Sequence, residues 1–121
     1  MQQSNIPEVK LGLIAVSRDC FIRTLSERRR AAIMKECAAL NVNIEEIKVT
    51  VENEKDCLDA VAAAKEAGCN SLVVFLGNFG PETPETLIAK YFDGPCMYVA
   101  AAEETGNDLV DGRGDAYCCI S

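Results

Sequence analysis

The sequence contains no histidine and no tryptophan. Histidine is the commonest general acid–base in enzymes and a frequent ligand of transition metals, so its absence removes several kinds of active site at once. We therefore expect this chain to hold no catalytic residue, no metal ion and no cofactor of its own.

The sequence also lacks a long apolar run and an excess of basic residues. No stretch approaches the roughly 18 consecutive apolar residues of a membrane span, and residues 1–8 are too polar for a signal peptide. The net charge is −7, which argues against nucleic acid or an anionic membrane as a partner. The run of Arg28, Arg29 and Arg30 is interpreted as the solvated face of a helix.

The seven cysteines form no CxxC pair, and the adjacent Cys118 and Cys119 have the wrong spacing for a zinc site. Cys37, Cys57 and Cys96 lie in apolar patterns typical of small buried hydrophobic residues. That usage is typical of a reducing compartment, so we expect a cytoplasmic protein.

Four apolar segments predict strands, at residues 10–16, 44–51, 71–76 and 96–101. Helix-start signals between them are a capping box of Thr24 with Glu27, then Asn53 with Asp56, then Thr83 as N-cap before Pro84. The first helix has an apolar stripe made of Leu25, Ala32, Ile33, Cys37 and Leu40. Gly68 predicts a left-handed end for the second helix.

The alternation of strands and helices predicts a single α/β domain over residues 1–121, with a parallel sheet between two helical layers. Residues 44–51 form the least apolar strand, which belongs at an edge. This favours a three-layer flavodoxin-like open sheet with strand order 2-1-3-4. Residues 103–121 are rich in acids and glycine and turn apolar at 116–120. We expect them to be a tail that leads toward a next domain that this chain lacks.

Ligands of such sheets bind beyond the carboxyl ends of the strands, near the switch point between the first and third strands. The loops expected there carry Arg18 and Asp19 in one segment and Asn78 and Phe79 in the other. A guanidinium, a carboxylate, a carboxamide and an aromatic ring together suit a polyhydroxylated ligand. Two other interpretations stay open: a surface ion pair for the first segment, and a turn before a helix for the second.

Other sites found in sheets of this kind do not match the sequence. The first loop lacks the glycines of a dinucleotide fingerprint. A phosphatase loop starting at Cys20 would need arginine where Ser26 stands, and a phosphocysteine loop would be crowded by Phe21. The third strand ends in Leu76 and Gly77, not in the aspartate of a receiver domain, and cobalamin binding would need a histidine.

Five segments together resemble the N-terminal domain of the L-fucose isomerase-like family, which is related to L-arabinose isomerase. They are AVSRDCF (15–21), VTVENEK (49–55), VFLGNFGPE (74–82), AAAEETG (100–106) and DGRGDAY (111–117). The resemblance extends over essentially the whole chain from Val9 onward.

The resemblance implies an enzyme that interconverts an aldose and a ketose by moving a proton between C1 and C2 through an enediol. A divalent metal, typically Mn²⁺, holds the sugar oxygens in the full-length parent, and its acidic and histidine ligands lie in later domains. The N-terminal domain packs at a subunit boundary, which implies a homo-oligomer. Arg18 resembles the substrate-contacting arginine, and Asn78 and Phe79 lie where the family offers an aromatic sugar contact. The absence of tryptophan departs from that pattern and leaves the sugar unidentified.

Three hypotheses follow for the chain itself. It is the substrate-side and assembly domain of an aldose–ketose isomerase, inactive alone. Alternatively, it is a free-standing sugar-binding or regulatory module, or a purely structural assembly domain whose loops make subunit contacts.

Overall fold

The computed structural model describes residues 5–18, 20–78 and 80–102. The elements alternate regularly along the chain: β1 (Leu11–Val16), α1 (Arg23–Ala39), β2 (Ile44–Val51), α2 (Glu54–Glu66), β3 (Ser71–Leu76), α3 (Glu82–Tyr91) and β4 (Cys96–Ala100). The α/β class predicted from the sequence is therefore confirmed.

The four strands form one parallel sheet in the order β2-β1-β3-β4, as predicted. The central pair is in continuous register from Leu11 opposite Ser71 to Val16 opposite Leu76. The outer pair of β1 and β2 shifts register between Leu13 and Ala15. Because β1 and β3 end level with one another, the loops that follow them start side by side.

Helices cover both faces of the sheet, which gives the three layers of a flavodoxin-like fold. One face packs on α2 and α3 through residues that include Val16, Val74, Ala60 and Ile88. The other face packs on α1, where Leu13 and Phe75 contact Ile33 and Met34. Alternate residues of each strand thus serve opposite cores, as expected when a sheet is buried on both sides.

The helix starts agree with the sequence predictions in α2 only. The Asn53 side chain accepts a hydrogen bond from the Asp56 amide at 2.8 Å, and Gly68 has φ of +81°. In contrast, α1 begins at Arg23 after Ile22, with no side-chain cap, so the predicted Thr24 capping box is wrong. The other predicted start is also wrong, because α3 begins at Glu82 and its N-cap is Pro81.

The solvated arginine face predicted for α1 is wrong for two of its three residues. Arg28 is exposed, whereas Arg29 and Arg30 are 8% and 7% exposed. Arg30 Nη1 donates to the Ile47 carbonyl at 3.2 Å and to Thr50 Oγ1 at 3.1 Å, at the irregular register of β2. A buried guanidinium is tolerated because its donors meet carbonyls that the sheet leaves unpaired.

On the α1 face, a groove of about 330 Å³ separates the helix from β3 and β4. Its lining is apolar and includes Ile33, Val42, Phe75, Met97 and Val99. The predicted tail at residues 103–121 lies outside the described residues. No helix in the described part of the chain is long and apolar enough to cross a membrane.

Gly77, just after β3, lies in close contact with Ser26 of α1. A Cβ at this position would overlap the Ser26 side chain and would lie 2.8 Å from Ser26 Cα. The substitution Gly77→Ala should therefore lower the free energy of unfolding by about 2–4 kcal/mol, because backbone must move.

Gly68→Ala is the matched control for that substitution. An added Cβ there meets nothing within 4 Å, and only the positive φ opposes it, which costs about 1–2 kcal/mol. Urea unfolding of both variants measures the difference. If Gly77→Ala proves no more destabilising than Gly68→Ala, the close contact with Ser26 is incorrect.

Candidate functional site

The candidate site lies where β1 and β3 end, and a buried amide joins their two loops. Asn78 is fully buried. Its Oδ1 accepts a hydrogen bond from the Arg18 amide at 3.1 Å, and its Nδ2 donates to Ser17 Oγ at 2.8 Å and to the Ile22 carbonyl at 3.2 Å. One side chain therefore fixes both ends of the loop that precedes α1.

Arg18 extends from the first loop across the second. Its Nη2 donates to the Gly80 carbonyl at 3.0 Å and lies 3.4 Å from Glu82 Oε2. The Arg18 side chain is 28% exposed, whereas that of Glu82 is 69% exposed. The guanidinium is thus held at the sheet edge with part of its surface open to a ligand.

The structure brings two of the four candidate residues into direct contact. Arg18 and Asn78 share a hydrogen bond, although they are 60 positions apart in the sequence. Asp19 and Phe79 lie outside the described residues. Of the two described candidates, Asn78 is buried and bonded within the protein, whereas the Arg18 side chain is partly exposed. That either residue binds substrate stays a prediction.

Sequence reasoning missed the residues that support this edge from α1. Arg29 donates from Nη1 to the Gly77 carbonyl at 2.6 Å and from Nη2 to the Ala102 carbonyl at 3.1 Å. Ser26 Oγ donates to the Val16 carbonyl at 2.9 Å. The signal was present, since Ser26, Arg29 and Arg30 share a helix face at spacings of three and four.

Glu85 is the second residue that the sequence did not single out. It lies in the first turn of α3 and is 3% exposed. Burial, reinforced by the neighbouring Glu82 carboxylate and opposed by Arg18, raises the pKa of Glu85 to about 7. Its Oε2 has no hydrogen-bond partner, so a neutral carboxyl is the form that this position tolerates best.

The cavities lined by described residues do not all lie at this edge of the sheet. A groove of about 380 Å³ beside the first loop is lined by Ile22, Thr24, Leu25 and Arg28. A larger cavity of about 480 Å³ lies at the amino ends of the strands, lined by residues such as Lys10, Asn43 and Glu45. We assign the site to the carboxyl edge, because ligands of open parallel sheets bind there and the polar loops converge there.

The side chains of the described residues do not fit a metal ion. No group of three or more histidine, cysteine, aspartate or glutamate side chains in the described part of the chain could hold one. The five described cysteines are free thiols, and burial raises the pKa values of Cys57 and Cys96, which disfavours the thiolate form that binds metals.

The topology and the converging loops define a doubly wound α/β domain whose ligand edge is built by the segments after β1 and β3. The family model for the N-terminal domain of fucose/sulfoquinovose isomerase matches residues 12–120. The chain belongs to this family, as the sequence resemblance indicated. No curated protein and no solved structure matches the chain.

Removing the Asn78 amide should weaken the fold markedly. Asn78→Ala leaves the Arg18 amide, Ser17 Oγ and the Ile22 carbonyl without this partner, which should cost about 2–4 kcal/mol. Asn70→Ala is a matched control: Asn70 accepts from the Lys10 amide at 2.9 Å but is exposed, so water can replace it at a cost below about 1 kcal/mol. Chemical unfolding measures both, and equal losses would contradict the role given to Asn78.

Glu85→Gln should change how stability depends on pH. When the pH is below 4.5, the ordinary pKa of this carboxyl, it is protonated in both the folded and the unfolded chain, so burial carries no ionisation penalty. As pH rises toward 7, the unfolded chain ionises while the folded protein keeps its proton, and stability falls by about 3 kcal/mol at most.

Glutamine has no proton to lose, so the variant should gain stability relative to the parent protein between about pH 5 and pH 8. Urea unfolding at several pH values in that range measures this gain. A stability difference that stays constant with pH would show that Glu85 ionises normally in the folded protein.

Proposed function

We propose that this chain is the substrate-side domain of a metal-dependent aldose–ketose isomerase and that it is inactive alone. The carrying observation is the Arg18 guanidinium, held on the Gly80 carbonyl at the carboxyl edge of the sheet within the stretch that matches the isomerase family. Its role is to bind and orient a sugar whose reacting carbons face groups from elsewhere.

The chemistry of the edge supports a binding role. Arg18 offers several N–H donors in a fixed plane, and each hydroxyl of a sugar can accept one. The Asn78 bridge holds the Arg18 backbone in place before a ligand arrives, so little conformational freedom is lost on binding. Moving a proton between two carbons requires a base beside them, and histidine, the commonest such base, is absent from the chain.

The divalent metal belongs to the parent enzyme in this proposal. Such an ion polarises a sugar carbonyl and stabilises negative charge. The described residues hold no suitable ligand cluster, so this chain's contribution is to position the sugar and not to bind the ion.

A homo-oligomer remains part of the proposal. The apolar groove between α1 and the strands β3 and β4 supports an oligomer, because Met97 in this groove is 58% exposed. Contiguous apolar surface of this kind commonly marks contacts with another domain or subunit.

The proposal is tested with the chain itself. Incubated with Mn²⁺ and a panel of aldoses that includes L-fucose and L-arabinose, it should give no ketose. In ¹H–¹⁵N NMR titrations, neutral sugars should shift the amides of Ser17, Arg18 and Gly80 with about millimolar or weaker affinity. Arg18→Met should abolish these shifts, since the donors that bind the hydroxyls are lost.

Lys65→Gln provides the control, because it removes an exposed cation in the last turn of α2, at the opposite edge of the sheet. It should leave the sugar-induced shifts unchanged. Turnover by the isolated chain would overturn the proposed inactivity. Micromolar binding without metal would favour the alternative of a free-standing sugar-binding module.

A further inference from the structure

The buried Glu85 carboxyl lies beneath the loop that holds Arg18. A Cβ added to Gly80 would lie 3.0 Å from Glu85 Oε2 and 2.8 Å from Val16 Cγ1, so the carboxyl fills the space directly under this glycine. That oxygen is buried and has no hydrogen-bond partner. An unsatisfied buried carboxyl oxygen is costly and calls for an explanation.

Arg18 contacts the same glycine. Its Nη2 donates to the Gly80 carbonyl and approaches Glu82 Oε2. Two carboxyl groups therefore interact with one guanidinium: Glu82 is exposed and lies 3.4 Å from Arg18 Nη2, whereas Glu85 is buried and the charge of Arg18 opposes the rise of its pKa.

We infer that Glu85 is a positioning residue whose protonation state decides where the Arg18 guanidinium lies, and hence how well this edge binds sugar. The inference rests on the proposed function. With a neutral Glu85, Arg18 stays on the Gly80 carbonyl and faces the ligand side. An ionised Glu85 supplies a buried acceptor, so Arg18 turns inward and its contact with the sugar weakens.

The other titratable groups of this region lie around Tyr98, which is hydrogen-bonded to Glu85. From β4, the Tyr98 hydroxyl donates to the Glu85 backbone carbonyl at 2.6 Å, and burial raises the pKa of Tyr98 to about 12. Burial also raises the pKa values of Cys57 of α2 and Cys96 of β4. These three groups stay neutral near pH 7, and among the described residues Glu82 and Arg18 are the charges that act on the carboxyl.

NMR titration of the chain from about pH 5.5 to 8.5 tests the coupling without any ligand. The Glu85 carboxyl ¹³C signal, the Gly80 amide and the Arg18 Nε–H should share one midpoint near neutrality. Glu85→Gln should remove that transition, whereas Glu82→Gln should retain it. The inference is overturned if Gly80 and Arg18 do not respond while Glu85 titrates, or if their transition persists in Glu85→Gln. Should that variant fail to fold, the shared midpoint in the parent protein decides alone.

A second titration connects the coupling to the sugar. Affinity for a neutral aldose should fall at least about fivefold from pH 6 to pH 8 and become independent of pH in Glu85→Gln. Sugar binding that is equally strong at both pH values overturns this inference while leaving the proposed function intact. Failure to bind sugar at any pH contradicts the proposed function, whereas the ligand-free titration still decides whether Glu85 controls Arg18.

Discussion

The buried Asn78 amide is the interaction on which the ligand edge depends. Parallel strands that end level leave their following loops close together, but the backbone hydrogen-bond ladder stops where the strands end and does not join the loops. Asn78 crosses that gap with one acceptor and two donors, which satisfy groups on both sides of the first loop. The position of Arg18 and the start of α1 after Ile22 follow from this bridge.

The same edge explains why α1 buries polar side chains. Strand ends present carbonyls that no neighbouring strand can pair, and a helix lying over them must supply donors. Arg29 does so for Gly77 and Ala102. Arg30 supplies a donor in the same way to Ile47, within β2, where the register with β1 is irregular. Apolar residues at these positions would pack well but would leave the carbonyls unsatisfied, so long cationic side chains suit this face of α1 better.

Local patterns predicted the strands well because each strand is decided by its own residues. β2 and β3 have the bounds predicted from their apolar periodicity, and the polar character of β2 placed it at the edge. The errors occur in the helix starts and helix faces, which depend on side-chain contacts. Glu27 pairs with Arg23 at 2.8 Å instead of closing a capping box, and Leu40, part of the predicted apolar stripe, is 72% exposed. Arg18 and Asn78 were expected at one edge and lie there, but the burial of Asn78 and the position of Glu85 under Gly80 depend on tertiary packing.

Internal hydrogen bonding limits what this edge can offer a ligand. The Asn78 amide donates both its protons within the protein, and Arg29 is committed to strand-end carbonyls. The contact between Arg18 and Glu82 is different, since Glu82 is largely exposed and an exposed ion pair contributes only about 0–1 kcal/mol. In the proposed function, a sugar hydroxyl therefore replaces Glu82 at small cost, without disturbing the bridge that holds the loops. In the proposed function, this edge orients a neutral, hydroxyl-rich ligand. Reactions at the carbon atoms of that ligand need other groups, because Asn78 and Arg29 are already hydrogen-bonded within the fold.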